Sequence, residues 1–279
     1  MTRYLALSLL VLATGCAGAA EKTFDRTFTV SPNGSLVVEA DGASVKVSGN
    51  DTNQVTVHMV ARGSQENLAN VNLDASQQGD QVVVVMKRQT KGSWFNWSWN
   101  GDGNIVVTVP QKFATNVKTG GGSVELKDTA GAATLRTSGG DVVAKNLNGN
   151  LEARTSGGGI HAETIRGDVD ASTSGGDVRL LSIDGKISAR TSGGGVDCSL
   201  VGPNRGISVS TSGGSIKLTL PRATTGDVDA KTSGGSITTE LPVATTEVQE
   251  GRLKGSLNGG GQPIEVHTSG GGISLRASG

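Results

Sequence analysis

Apolar and polar residues alternate along most of this chain, and beyond about residue 113 the alternation recurs at a fixed spacing. A Thr-Ser-Gly-Gly phrase marks each recurrence, and four successive copies stand 18 residues apart. The phrase begins at Thr137, Thr155, Thr173, Thr191, Thr211, Thr232 and Thr268. The fifth and, in most copies, the seventh residue after each threonine are apolar, whereas the sixth is usually polar. A period of two predicts a β-strand with one buried face.

A second alternation precedes each threonine, with apolar residues four and two positions before it in nearly every copy. Each copy therefore holds two strands separated by two turns. One coil this short cannot enclose a core, but stacked coils pair their backbone N–H and C=O groups with the coils above and below. The sequence predicts an all-β fold, a single-chain β-solenoid (β-helix) built from coils of about 18 residues.

The repeat also predicts how the corners of each coil are built. The glycine pairs are expected to supply positive φ angles at tight turns. Each signature threonine is an even number of residues from the buried positions of the strand before it, so its side chain is also expected to point inward. There, threonines of successive coils can hydrogen-bond to one another. The step from Thr232 to Thr268 is 36 residues, or twice 18, so we expect one copy there that lost its signature but kept its length.

The segment 24–112 has recognisable strands but no regular period. Its alternating stretches include residues 35–40, 54–60 and 81–87, and glycines stand between them. We expect degenerate coils that continue into the regular solenoid of residues 113–279 and cap its first coil, because a repeat array needs an atypical end. A separate β-sandwich is the alternative.

All three tryptophans of the chain lie in one short segment, Trp94-Phe95-Asn96-Trp97-Ser98-Trp99. In an extended strand, Phe95, Trp97 and Trp99 share one face. Trp94, Phe95, Trp97 and Trp99 are therefore a candidate surface for binding sugar rings or a membrane interface. The alternative is that this hairpin covers the end of the core.

The first residues combine Arg3 with an apolar run from Leu5 to Ala13, which is typical of an export signal and too short for a stable membrane span. The run leads into Leu12-Ala13-Thr14-Gly15-Cys16, which resembles the bacterial lipobox. That resemblance implies a lipoprotein signal peptide at residues 1–15, lipidation of Cys16 and a tether at residues 16–23. Because Ala17 follows the cysteine, it also implies the outer membrane in a Gram-negative host. Ordinary cleavage at Ala17-Gly18-Ala19, which would give a soluble protein, is the alternative.

The charge balance and the spacing of potential ligand residues argue against nucleic-acid binding, metal binding and catalysis. The 25 basic residues balance the 25 acidic residues, so no basic stripe favours nucleic acid. His58, His161 and His267 stand far apart, and their spacing predicts no metal or catalytic cluster. Asp141 and Asp177 follow Gly-Gly turns but lack the context of calcium-binding nonapeptide repeats. We expect no catalytic residues, no metal and no cofactor.

Three patterns together resemble one known bacterial family. They are the Thr-Ser-Gly-Gly copies, the segment from Lys254 to Gly261, and the Val-Thr-Val-Pro run at residues 107–110. The family is the "putative adhesin" family of β-strand-repeat domains of unknown function, and the resemblance covers roughly Phe24 to Ser278. The resemblance implies an extracytoplasmic β-solenoid. It assigns no catalytic residues to this chain.

These features favour a non-enzymatic cell-envelope lipoprotein, anchored through Cys16, that presents a β-solenoid surface for adhesion or scaffolding. The partner would be a protein or glycan of the envelope. A glycan-acting β-helix enzyme is the alternative from another class. A self-associating structural element is a third hypothesis, since an open strand edge at the chain end, Gly279, would favour end-to-end association.

Overall fold

The computed structural model describes residues 20–88 and 102–278, which form two β-sheets and one short helix. We call the twelve-stranded sheet A and the thirteen-stranded sheet B. The helix, α1 (Gln65–Ala69), begins after Ser64, whose side-chain oxygen accepts a hydrogen bond from the backbone N–H of Asn67.

The strands follow one another closely along the chain. In chain order they are β1 (Ala20–Thr29), β2 (Ser35–Ala40), β3 (Ser44–Asn50), β4 (Gln54–Gly63), β5 (Val71–Gln78), β6 (Gln81–Arg88), β7 (Asp102–Pro110), β8 (Ala114–Thr119), β9 (Val124–Thr129), β10 (Ala133–Arg136), β11 (Val142–Asn148), β12 (Leu151–Arg154), β13 (Ile160–Arg166), β14 (Val169–Ser172), β15 (Val178–Asp184), β16 (Ile187–Arg190), β17 (Val196–Leu200), β18 (Ile207–Thr211), β19 (Ile216–Pro221), β20 (Gly226–Thr232), β21 (Ile237–Thr239), β22 (Val243–Gln249), β23 (Arg252–Leu257), β24 (Pro263–Thr268) and β25 (Ile273–Ser278). Across sheet A the order is β1-β4-β7-β3-β9-β11-β13-β15-β17-β19-β25-β21. Across sheet B it is β5-β6-β2-β8-β10-β12-β14-β16-β18-β24-β20-β23-β22.

Most of the molecule is a stack of coils, each made of one strand of sheet B followed by one strand of sheet A. Parallel pairing holds neighbouring coils in register, so that Val142 lies beside Ile160 and Ile160 beside Val178. The inward columns of both sheets are buried and form one continuous core between the sheets. The predicted all-β solenoid is confirmed.

The first third of the chain belongs to the same two sheets. Strands β2 and β3 pair in parallel with β8 and β9, and β6 and β7 pair in turn with β2 and β3. Strands β1, β4 and β5 pair antiparallel and close this end of the stack. The segment therefore consists of degenerate coils with a cap, rather than a separate sandwich. Because β1 begins at Ala20, residues 20–23 of the expected tether belong to sheet A.

Near each end of the stack, one coil is inserted between two coils that follow each other in the sequence. The coil β2/β3 lies between β6/β7 and β8/β9, and the coil β24/β25 lies between β18/β19 and β20/β21. The expectation of a signature-less coil between Thr232 and Thr268 is wrong, because that segment contains the antiparallel hairpin β22–β23. The expected open edge at the chain end is also wrong, since β25 is paired on both sides, with β19 and β21.

Each signature threonine is buried, as predicted, but its hydroxyl bonds to backbone and not to the next threonine. Thr155 Oγ1 donates to the carbonyl oxygen of Gly140 in the neighbouring coil at 2.8 Å, and it accepts from the N–H of Gly158 at 3.3 Å. The bond to a neighbouring-coil carbonyl recurs at Thr119, Thr137, Thr173, Thr191, Thr211, Thr232 and Thr268. The predicted threonine ladder is therefore replaced by hydroxyl bridges between coils.

The signature glycines serve close contact between coils, which corrects the prediction that they supply positive φ. The described glycines with positive φ lie outside the Thr-Ser-Gly-Gly turns and are Gly79, Gly167, Gly206, Gly251, Gly259, Gly260 and Gly261. A Cβ on Gly158 would lie 2.2 Å from the carbonyl oxygen of Gly140 and 2.5 Å from its carbon. Side chains are excluded at this position because the backbones of adjacent coils come too near.

Positive φ angles recur at another position of the coil, where sheet A bends. Asp128, Asn146, Thr164 and Ser182 have φ angles of 56°, 54°, 59° and 56° and are separated by steps of 18 residues. The left-handed residue shifts the alternation of buried and exposed side chains by one position. Ile165, which directly follows Thr164, is therefore buried in the core. The asparagine at this position donates from Nδ2 to Asp128 Oδ1 at 2.8 Å, which links two coils.

We expect Gly158→Ala to destabilise the fold by about 2 kcal/mol or more, because the added methyl meets backbone that cannot rotate away. The measurement is the free energy of unfolding from urea titration. Gly42→Ala is the matched control, since Gly42 is also a corner glycine, lacks positive φ and has nothing within 4 Å of the place that an added methyl would occupy. Equal effects at the two sites would contradict the close-contact explanation.

Candidate interaction surfaces

The outer face of sheet B carries two rows of polar side chains along the solenoid. The first row is Asn116, Thr134, Glu152, Asp170, Ser188, Ser208, Glu265 and Asp229, and the second is Lys118, Arg136, Arg154, Ser172, Arg190, Ser210, His267 and Lys231. Neighbours within a row are one strand spacing apart, about 4.8 Å. Acidic groups fall in the first row and basic groups in the second.

Ion pairs connect the two rows both within a coil and between coils. Glu152 lies 2.6 Å from Arg136 and 2.7 Å from Arg154. Arg154 also lies 3.1 Å from Asp170. Hydrogen bonds from Arg136 and then Arg154 lower the pKa of Glu152, against the opposing effect of burial. The acidic and basic rows thus compensate one another within the network.

The outer face of sheet A has similar but more local networks. Glu125 contacts Lys127, and the hydrogen bond from Lys127 lowers the pKa of the Glu125 carboxyl. Glu163 lies 2.8 Å from Lys145 and 3.6 Å from His161. The hydrogen bond from Lys145 is the main cause of a lowered pKa at Glu163. These carboxylates stay ionised and partnered at neutral pH.

Each face also contains a shallow, open depression. The depression on sheet A has a volume of about 420 Å³, and its charged lining residues are Asp177, Arg179, Asp197, Lys217 and Arg276. The depression on sheet B has a volume of about 520 Å³, and its charged lining residues are Glu152, Asp168, Asp170, Lys186 and Arg190. Acidic and basic groups are mixed in both. Neither depression selects for one sign of ligand charge.

The aspartates that follow Gly-Gly turns act within the fold. Asp141 Oδ1 accepts the backbone N–H of Gly159 in the next coil at 2.8 Å, and Asp177 Oδ1 accepts that of Gly195 at 2.8 Å. Each carboxylate therefore satisfies a backbone donor at a corner. Among residues 20–88 and 102–278, no group of His, Cys, Asp and Glu side chains could hold a metal ion.

The three histidines lie on different parts of the surface. His58 on β4 forms a 2.6 Å contact with Asp25 on β1, near the capped end. His161 lies on sheet A beside Glu163, and His267 lies on sheet B in β24. The fold does not bring them together, so they provide no shared site.

The residues predicted to carry function lie outside the described ranges. Cys16 precedes residue 20, and Trp94, Phe95, Trp97 and Trp99 fall between Arg88 and Asp102, the ends of β6 and β7. Cys198, in contrast, is fully buried in β17, and burial raises the pKa of its thiol. In the part of the chain that the structure describes, no helix is long and apolar enough to cross a bilayer.

Sequence reasoning missed the ion-pair network between coils. Arg136 and Glu152 are 16 residues apart, which is one coil of 18 minus the two-residue spacing within a strand. Opposite charges at that separation therefore signal a diagonal contact in a solenoid with this period. Such ion pairs can be predicted from the sequence once the register between coils is known.

We expect Glu152→Gln to lower the free energy of unfolding by less than about 1 kcal/mol at pH 7, because its partners remain half exposed. The folded-state pKa of Glu152 is depressed, so its stabilisation exists above the unfolded pKa and disappears as pH falls through the folded one. The difference from wild type should therefore shrink below a pH of about 4. Glu265→Gln is the control, since Glu265 shares this face and forms no ion pair among the described residues. A difference that stays constant down to pH of about 2 would refute the assignment.

Comparison with known proteins places this architecture in a described family. A family model described as Toastrack DUF4097 matches residues 33–276, and no curated protein matches. Similar solved structures include a "putative lipid binding protein" from Parabacteroides distasonis, with 14% identity over 91% of this chain and 96% of that chain and a TM-score of 0.46. A "putative adhesin" from Parabacteroides merdae has 11% identity over 91% of this chain and 95% of that chain, with a TM-score of 0.41. A "putative cell adhesion protein" from Clostridium sporogenes has 14% identity over 92% of this chain and 100% of that chain, with a TM-score of 0.28.

The family match confirms the expected resemblance to a family of β-repeat domains of unknown function. The family match begins in the turn before β2 and ends within β25. It therefore reaches all ten stacked coils that the structure describes. The chain belongs to the Toastrack DUF4097 family.

Proposed function

We propose that this protein is a non-enzymatic cell-envelope lipoprotein that binds an extended protein or glycan of the envelope through the outer face of sheet B. One observation carries the proposal. Successive coils present two outward positions per strand, in constant register, along one continuous face. Such a face suits an extended partner, because each coil offers a comparable contact about every 4.8 Å.

Sheet B is better suited to this role than sheet A. Its strands from β8 to β18 pair without a break in register. Sheet A, in contrast, is interrupted by the left-handed column from Asp128 to Ser182 and changes register between Leu180 and Ile183. A straight partner can therefore follow sheet B over more coils.

The side chains on sheet B fit a partner that carries hydroxyl or carboxylate groups. Ser188 and Ser208 lie in the first row, and Arg190 and Ser210 lie beside them in the second. Hydroxyl groups donate and accept hydrogen bonds, and a guanidinium donates two in parallel to a carboxylate. Single contacts of this kind are weak on an exposed surface, but repetition along the solenoid makes the total large.

The same face is a poor setting for glycan hydrolysis. That chemistry uses two carboxyl groups on either side of the scissile bond, one of them able to hold a proton. Glu152 and Asp170 both contact Arg154, and the pKa of Glu152 is lowered instead of raised. Hydrogen bonds from Arg136 and Arg154 hold the Glu152 carboxylate in the ionised form, which does not suit it to act as the acid.

The anchor part of the proposal rests on the lipobox-like sequence before Cys16. We expect the wild-type protein to fractionate with membranes, with the outer membrane in a Gram-negative host, and to incorporate labelled fatty acid. Cys16→Ser should release it into the soluble fraction, because the thiol is the only attachment point that the proposal uses. Cys198→Ala is the control, since Cys198 is buried and its loss leaves the anchor intact. Retention of Cys16→Ser in the membrane would contradict the anchor.

The binding face can be tested with two variants of a single coil. Ser208 on β18 faces out of sheet B, and Thr219 on β19 faces out of sheet A. In a Cys16→Ser background, we expect Ser208→Trp to reduce binding to isolated envelopes of the source bacterium at least tenfold, because the bulky ring obstructs the face. Thr219→Trp should leave binding unchanged. The measurement is cosedimentation over a range of protein concentrations.

Pretreatment of the envelopes identifies the partner. Protease treatment should abolish binding if the partner is a protein, and periodate oxidation should abolish it if the partner is a glycan. Equal binding by the two tryptophan variants would exclude the sheet B face. Release of soluble sugar fragments during the incubation would overturn the non-enzymatic proposal in favour of a glycan-acting enzyme.

A further inference from the structure

The two ends of the solenoid differ in how their strand edges are closed. At the end formed by β1, β4 and β5, Lys22 Nζ donates to the carbonyl oxygen of Val71 at 2.7 Å. Arg26 donates to the carbonyl oxygen of Ala75 at the same distance. Inward-pointing charged side chains that occupy the carbonyls of an edge strand block further strand pairing. The edge of sheet B at this end, β5, is therefore blocked.

The opposite end has a step, because sheet B extends further than sheet A. Strands β20 and β21 belong to one coil, and β23 and β22 continue sheet B beyond β20. Among residues 20–88 and 102–278, no strand lies beyond β21 in sheet A. Sheet B therefore overhangs sheet A by two strands, and the free edges of β21 and β22 both lie at this step.

The inner side of the overhang is apolar and partly exposed. Val243 and Val248 of β22 lie opposite Leu257 and Leu253 of β23, so they point to the core side of sheet B. The two leucines are buried, whereas Val248 is 68% exposed. A core-facing valine is exposed here because no described strand of sheet A lies opposite to it.

We propose that a second copy of this chain docks on this step, so that two solenoids join through these ends as a two-fold symmetric dimer. The step is two strands deep, and a second copy brings an overhang of the same depth. A two-fold axis along the strands places β22 of each copy beside β21 of the other. The sheet B overhang of each copy then lies against the inner face of the other copy's overhang. Sheet B of each copy continues into sheet A of the other, so that both layers of the dimer are continuous.

Strand direction and charge agree with this arrangement. Strand β22 runs parallel to β20, because both are antiparallel to β23, and β21 runs the opposite way across the coil. The axis keeps these directions, so β22 and the second copy's β21 pair antiparallel. Strand β21 carries no charge, and Glu247 of β22 lies 3.8 Å from Arg252 of its own copy. No like charges are forced together.

The depth of the step favours a second copy over a single bound peptide. One added strand would pair with β21 but leave the edge of β22 free and part of the inner face uncovered. From β22 and β23 about 20 Å long, β21 about 10 Å long and layers about 10 Å apart, the dimer would bury roughly 1,000 Å² in total, near the lower limit for specific interfaces. We expect a reversible dimer with a dissociation constant on the order of 1–10 µM.

Sedimentation velocity tests the proposal on the full chain carrying Cys16→Ser, which keeps it free of lipid. Over about 0.5–300 µM the protein should pass from monomer to dimer. Val248→Glu should raise the dissociation constant at least tenfold, since it would bury a carboxylate without a partner. Val201→Glu is the matched control, because Val201 is 59% exposed but follows β17 in the middle of the stack. Its dimerisation should equal that of the parent.

Two further measurements check the folding of the variants and the shape of the dimer. Thermal unfolding of each variant establishes that it is folded, and small-angle scattering of the dimer should give nearly twice the maximum dimension of the monomer. A parent chain that stays monomeric over the whole range would overturn the proposal. So would a dimer of unchanged length, or equal weakening by Val248→Glu and Val201→Glu.

Discussion

Direct backbone contact between adjacent coils is the constraint on which the rest of the structure depends. A Cβ on Gly158 would lie 2.2 Å from the carbonyl oxygen of Gly140, so the corners tolerate no side chain there. Because the corners are this close, each threonine hydroxyl can reach the carbonyl of the neighbouring coil, as Thr155 does at 2.8 Å. The same spacing fixes the register of the strands, and the register aligns the apolar columns into one core. The repeated residues are therefore explained better by contacts between neighbouring coils than by the conformational preferences of each residue within its own coil.

The polar surface is a second result of the fixed register. An arginine in one coil meets a glutamate in the next because the constant register places the basic row diagonally beside the acidic row, as for Arg136 and Glu152. The charges neutralise one another locally, and the chain as a whole has no net charge. Specificity for a partner must then come from the arrangement of donors and acceptors along the face, because long-range attraction is weak.

The solenoid and its inward columns could be predicted from the sequence, because a period of two within a period of 18 leaves little freedom for the residues from Val142 to Val196. Other features depend on contacts between distant residues and could not. The glycines looked like turn residues, since a sequence cannot distinguish a glycine needed for φ from one needed for close approach. The 36-residue step looked like two coils, because length alone does not distinguish a coil from the hairpin β22–β23. Cys16 and the segment of Trp94 to Trp99 remain predictions, as they lie outside the described residues.

The inserted coils have a consequence for how the molecule is made. The place between β18/β19 and β20/β21 is filled by β24/β25, which come after all the other described strands in the sequence. Coils from β8 to β19 can stack in the order in which they leave the ribosome, but β20 can pair only with β23, and β21 has no partner strand, until β24 and β25 emerge. The hairpin β22–β23 must then hold its place while the last coil enters beside it. Completion of the stack therefore waits for β24 and β25, and a nascent chain that has not yet made them carries strands with unpaired edges at that end.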